Sequence, residues 1–172
     1  MKKLLTVRLL SSTVGAVLVA GLLVPAVVAA AAWSVVSSPT VSGGSELHAV
    51  ASLSATDVWA VGQGSGQTLT EHWNGSAWSI VPSPNPASTD ALLGVAAVST
   101  NDVWAVGTAN TSSPPVIEHW NGSTWKTVKA PRQNGFLQAV TAVSANDVWA
   151  VGEFVGASGA FQTLIEHWNG RK

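Results

Sequence analysis

Three Glu-His-Trp triplets, Glu71-His72-Trp73, Glu118-His119-Trp120 and Glu166-His167-Trp168, set a carboxylate beside an imidazole. Both groups are ordinary metal ligands and ordinary acid–base catalysts. On a β-strand, however, neighbouring side chains point to opposite faces, so the Glu and His of one triplet do not converge on one ion. The triplets therefore read as structural, hydrogen-bonding a neighbouring repeat or the following turn. Asp57, Asp102 and Asp147 stand just before three copies of Val-Trp and read as turn formers, with carboxylates that accept from backbone N–H groups. Four chemistry-bearing residues are unrepeated: Glu46, His48, Asp90 and Glu153. The expected role is a non-catalytic binding or scaffold module; the alternatives are a truncated repeat protein without independent function and a fragment of a glycosidase or lyase acting on polysaccharide, and catalysis would require these four residues to meet at one pocket. His48 stands where the other repeats carry Leu93 and Gln138. No phosphate loop, nucleophile elbow, paired-histidine zinc helix or dinucleotide fingerprint is present. No catalytic residue, cofactor or metal is expected.

The chain has nine Trp, no Tyr and no Cys. Trp59, Trp104 and Trp149 sit mid-strand among Val and Ala, where an aromatic side chain packs between layers. Trp73, Trp120 and Trp168, with Trp33, Trp78 and Trp125, flank an Asn-Gly turn and can pair across strands. Left exposed, such rings would stack on sugars.

A repeat positions these residues. Asp57-Val58-Trp59-Ala60-Val61-Gly62 returns at Asp102 and at Asp147, each time after 45 residues. Leu47, Leu92 and Leu137 align upstream, as do Val50, Val95 and Val140; the Glu-His-Trp-Asn-Gly segment follows downstream. Each unit reads as four short strands. The second is apolar on both faces, which requires packing above and below its sheet. Asn-Gly after the third strand predicts a type I′ hairpin, because both central residues of that turn need positive φ. Four antiparallel strands in such a period make a β-propeller blade. The expected fold is all-β, with blades near 47–81, 92–128 and 137–170.

Residues 33–170 resemble a bacterial secreted β-propeller repeat family, kelch-like in architecture, built on Ser-x-Asn-Asp-Val-Trp-Ala-Val-Gly and Glu-His-Trp-Asn-Gly. Ser144 to Gly152 and Glu166 to Gly170 carry the pattern most fully; Thr56 departs from it where Asn101 and Asn146 conform, and the kelch double glycine is absent. The resemblance implies fold and secretion. Lectin propellers similar to it use aromatic-lined pockets between blades.

Residues 1–32 read as an export signal. Lys2, Lys3 and Arg8 precede an apolar run over 14–28, and Ala29-Ala30-Ala31-Ala32 offers small residues for cleavage before Trp33. An uncleaved leader would instead anchor the chain in the membrane. Removing those three basic residues leaves five Lys/Arg against nine Asp/Glu, a net of about −4, with no basic stripe for nucleic acid. The asparagines of Asn74-Gly-Ser, Asn110-Thr-Ser and Asn121-Gly-Ser read as turn chemistry without glycan.

The propeller domain, residues 33–172, opens with a fourth-strand motif at 33–36 and ends in a third strand. That permutation lets the first strand complete the last blade. Three blades fall short of the four to eight of closed propellers. The chain is therefore expected to be part of a longer propeller or a homo-oligomer whose copies complete a ring. The segment between strands 2 and 3 lengthens from unit to unit, while the turns at the other end keep their chemistry. The variable end is the expected ligand face, with Gln63, Gln67, Thr108, Asn110, Glu153 and Gln162 as candidate contacts for extracellular carbohydrate or protein.

Overall fold

The computed structural model describes residues 32–87, 90–110, 113–131 and 134–171. Apart from Ala32, the expected leader lies outside them. The chain divides into two compact units, Met1–Ser34 and Val35–Lys172, and every strand among the described residues belongs to the second.

Among the described residues, eleven strands form three antiparallel sheets. The first orders β1 (Ser45–Ser54), β2 (Asp57–Gly64), β3 (Gln67–Trp73) and β4 (Trp78–Ile80) as β1-β2-β3-β4. The second repeats this with β5 (Ala91–Ser99), β6 (Asp102–Thr108), β7 (Val116–Trp120) and β8 (Trp125–Thr127). The third contains β9 (Phe136–Ser144), β10 (Asp147–Val155) and β11 (Phe161–Trp168) and stops there. Residues 32–44 form no strand, so the fourth strand expected from 33–36 does not complete the last sheet within this chain.

Strands β1, β5 and β9 lie side by side and form the inner edge of the stacked sheets. Each inner strand carries a β-bulge. Leu47 pairs with Gly62 and Ala49 with Val61, which leaves His48 as the extra residue. Leu93 and Gln138 are the extra residues of β5 and β9. Gly62, Gly107 and Gly152 face these bulges, and a Cβ at any of them would strike the carbonyl of Glu46, Ala91 or Phe136. The glycine closing each Asp-Val-Trp-Ala-Val-Gly element is thus required by the bulge opposite it.

Between the sheets, Trp59 and Val61 of β2 pack with Leu92, Val95, Val103, Ala105, Val116 and Trp125 of the second sheet. Val106 packs with Leu137, Ala150 and Leu164 of the third. One face of β6 meets the first sheet and the other meets the third, as its two-sided apolar pattern demands.

One turn expectation needs correction. Asn74 does not adopt positive φ; only Gly75 does, within a four-residue connection from Trp73 to Trp78. Asn74 Oδ1 instead accepts from the N–H groups of Ser76 and Ala77, each at 3.0 Å, and Asn121 does the same for Ser123 and Thr124. A side-chain-capped turn replaces the type I′ hairpin: the Asn oxygen takes up two of the turn's N–H groups, and the four-residue connection needs positive φ only at its glycine. The turn with two positive φ values is Ser65-Gly66, between β2 and β3.

Candidate functional site

At one end of the sheets, a fixed chemistry repeats. His72 Nε2 lies 2.9 Å from Asp57 Oδ1, and His119–Asp102 and His167–Asp147 repeat this at 2.8 Å. Ionised carboxylates only accept, so each imidazole carries its proton on Nε2. The Asp side chains therefore serve the third strand. Ser54, Ser99 and Ser144 do the turn work expected of them, each Oγ accepting the N–H two residues on. Each His ring also lies against the Trp of its middle strand, with centroids 4.5 Å apart for Trp59–His72, 4.3 Å for Trp104–His119 and 3.9 Å for Trp149–His167. Trp73, Trp120 and Trp168 donate their indole N–H to the carbonyls of Ala55, Thr100 and Ala145 at 3.1 Å. Trp73 pairs with Trp78, and Trp120 with Trp125, across the turn. This end is a clamp made of Asp, His and two Trp, used three times.

The glutamates of the triplets point to the opposite face from the histidines. Glu71 and Glu118 are fully buried, with no hydrogen-bond partner on either carboxyl oxygen. Burial, and then the charge of Asp90, push Glu118 up to about 8. Burial also raises Glu71. Glu118 is thus a neutral carboxyl at neutral pH, packed between the first and second sheets. The expected hydrogen bond from these glutamates to a neighbouring sheet is not made by Glu71 or Glu118.

The other end carries the variable connections. The candidate contacts all lie there, but Gln63 (β2), Gln67 (β3), Thr108 (β6), Glu153 (β10) and Gln162 (β11) are strand residues, and only Asn110 is in a loop. In the first sheet the expected loop shrinks to Ser65-Gly66, because the strands run on to a tight turn; in the third, β10 and β11 themselves lengthen. Gln63 donates to Glu46, and both line a polar hollow of about 370 Å³ with Ser45 and Ser65. His48 donates from Nδ1 to Leu92 O at 2.8 Å and sets Nε2 3.4 Å from Glu46. Glu46 and His48 are therefore together. Asp90 is buried, accepting the N–H of Ala87 at 2.9 Å while its own N–H reaches Gly66 O at 3.0 Å. Glu153 stands in the third sheet opposite Phe136 and Thr163.

A larger feature on this end is a hollow of about 430 Å³. Pro86 and Ala87, from the β4–β5 connection, form one wall; Ala109 and Pro114, from the β6–β7 connection, form another; Pro115, Val116 and Ala130 are buried in its floor, and Lys129 stands on its rim. The β4–β5 wall is strapped down: Thr68 N–H donates to Asn85 Oδ1 at 2.8 Å, Thr68 Oγ1 to Pro84 O at 2.8 Å, and Asp90 clasps Ala87. Prolines fix φ and lack an N–H, so these walls lose little entropy on binding and offer apolar surface and carbonyls. Sequence reasoning missed this groove, because the polar content of the connections drew attention to Gln and Thr. The available signal was the clustering of Pro82, Pro84, Pro86, Pro114, Pro115 and Pro131 in the connections at this end.

Among the described residues no cluster of three or more His, Cys, Asp or Glu could hold a metal ion, and no helix is long and apolar enough to cross a membrane. No family model matches the sequence, and no curated protein does. A solved structure, "YCF48 bound to D1 peptide", has a similar fold, with TM-score 0.54 and 19% identity over 74% of this chain and 42% of that one. The chain thus spans less than half the length of the propeller it matches. The fold is that of consecutive β-propeller blades.

Proposed function

We propose that this chain is a secreted, non-catalytic β-propeller module that holds a segment of another extracellular protein on its variable end. The observation that carries this reading is the proline-walled groove between the β4–β5 and β6–β7 connections, apolar in its floor and braced by hydrogen bonds. Such a groove suits an extended peptide with apolar side chains better than a sugar, which needs more hydrogen-bonding groups around it. The solved propeller of similar fold is described as bound to a peptide, which supports the same choice. The leader-like residues 1–32 support export. The thrice-repeated Asp-His-Trp clamp supports a scaffold role for the histidines.

The test is to pan a random peptide display library and a glycan array against the chain, alongside Pro86→Glu/Pro114→Glu. Both prolines are exposed on the rim, so the variant should fold. Apolar peptides should be enriched, with binding at least tenfold weaker in the variant and unchanged in Ser123→Glu at the opposite end. Glycan hits without peptide hits, or peptide hits indifferent to the proline variant, would overturn the reading.

A further inference from the structure

His48 is placed unlike the three clamped histidines. It is the extra residue of the β1 bulge, where β5 and β9 carry Leu93 and Gln138. A bulge takes its residue out of the ladder and re-aims the side chain. The His48 ring crosses to the second sheet, where Nδ1 lies 2.8 Å from Leu92 O. A carbonyl only accepts, so Nδ1 holds the proton and Nε2 of the neutral ring presents a lone pair. That lone pair faces Glu46, with Nε2 3.4 Å from Oε1. The spacing sets this pair apart from the clamps. In His72–Asp57, His119–Asp102 and His167–Asp147 the imidazole N–H reaches its carboxylate directly, at 2.8–2.9 Å. The gap of 3.4 Å between His48 and Glu46 is too wide for that bond. It is the spacing of two donors on one ion: bonds of about 2.0–2.1 Å at a tetrahedral angle put their donor atoms about 3.3–3.4 Å apart.

We propose that His48 and Glu46 form a surface site for a zinc ion, held by Nε2 and the carboxylate, with its remaining positions open to solvent. Imidazole and carboxylate are donors that zinc takes. The outer contacts match as well. A metal-bound histidine donates its other ring N–H to a carbonyl or carboxylate, as His48 does to Leu92 O. A metal-bound carboxylate is itself hydrogen-bonded, as Glu46 is by Gln63. The Glu46 side chain is 58% exposed and lines the polar hollow with Ser45 and Ser65, so an ion reaches the pair without any movement of the sheets. Because His48 is unrepeated, the site occurs once per chain.

The test is a calorimetric titration of zinc chloride into the full chain, first stripped with EDTA. One ion should bind per chain. Glu46→Gln and His48→Gln should each weaken binding at least tenfold, and His167→Gln, which removes a clamped ring, should leave it unchanged. The two site variants should keep the parent's far-UV spectrum and melting temperature in EDTA, because Gln138 already occupies this bulge in β9 and Glu46 is exposed. In proton NMR, substoichiometric copper(II) should broaden the His48 ring signals before those of the other three histidines. The absence of binding at millimolar zinc would leave the pair an ordinary ion pair and overturn the proposal. Binding indifferent to either site variant, or lost equally with His167→Gln, would overturn it too.

Discussion

Trp104 and Trp149 stand in identical hexapeptides and in very different surroundings. Trp104 is sandwiched between His119 of its own sheet and Trp168 of the next, whose ring centroid lies 5.3 Å away. Trp149 keeps its histidine, stacked at an interplanar angle of 17°, but faces no further sheet among the described residues. The indole nitrogens differ as well. Trp149 donates to Asp147 Oδ1 at 2.8 Å, while Nε1 of Trp59 and of Trp104 is buried without a partner. An orphaned N–H costs about 1–3 kcal/mol. Burying the roughly 150–250 Å² of an aromatic side chain returns about 4–6 kcal/mol. The sheet in front therefore decides the state of the ring: where it is present, packing outweighs the lost hydrogen bond, and where it is absent, the ring takes the hydrogen bond.

Alanine at the two positions gives the largest expected contrast. Trp104→Ala should cost about 3–5 kcal/mol in denaturant unfolding of the dilute chain, and Trp149→Ala less than about 1.5. Equal losses would break the comparison.

A smaller contrast lies in pH. Glu118, pushed up to about 8 by burial and Asp90, holds its proton in the folded chain where the unfolded chain has lost it. Its contribution is therefore fully present below the ordinary value of 4.5, declines as pH rises from there, and is gone above about 8. Gln stays neutral and keeps the shape, so Glu118→Gln should be more stable by on the order of 2 kcal/mol at pH 9 and equal to the parent at pH 4. A thermal-melt series across this range checks the crossing. A benefit that did not shrink toward acid would point to packing and not to the proton.

The smallest expected effect separates the histidine clamps. Asp102 and His119 are partly buried, whereas Asp147 and His167 are more open to solvent. Asp102→Asn should lose about 1 kcal/mol and Asp147→Asn close to nothing, because solvent screens the exposed pair. Chemical-shift titration of the two imidazoles, together with unfolding midpoints, would resolve them.

The blade pattern was legible from the 45-residue repeat, because each short apolar run is rich in Val and Trp and is bounded by turn residues, which favours a strand buried on both faces over a helix. The pairing of Trp73 with Trp78 was legible from the Asn-Gly between them. The partner of Asp57 was not: turn and clamp both call for a carboxylate at that position, and only the approach of β3 brings His72 to 2.9 Å. The bulge at His48 was visible only as an unrepeated residue, because an inserted strand residue leaves no mark until the opposite strand fixes the register. The groove escaped because its walls come from two connections of adjacent blades, whose distance in space the sequence does not encode.

By itself, then, the sequence determined the units, their strands and which faces must be covered, since alternation, turn residues and the demand to bury Trp and Val are local properties. Only the tertiary structure decided which of those faces is covered, which strand the last sheet lacks, and where the connections leave a hollow. Those outcomes depend on how one sheet stacks on the next, and stacking is a property of surfaces brought together, not of the residues in order.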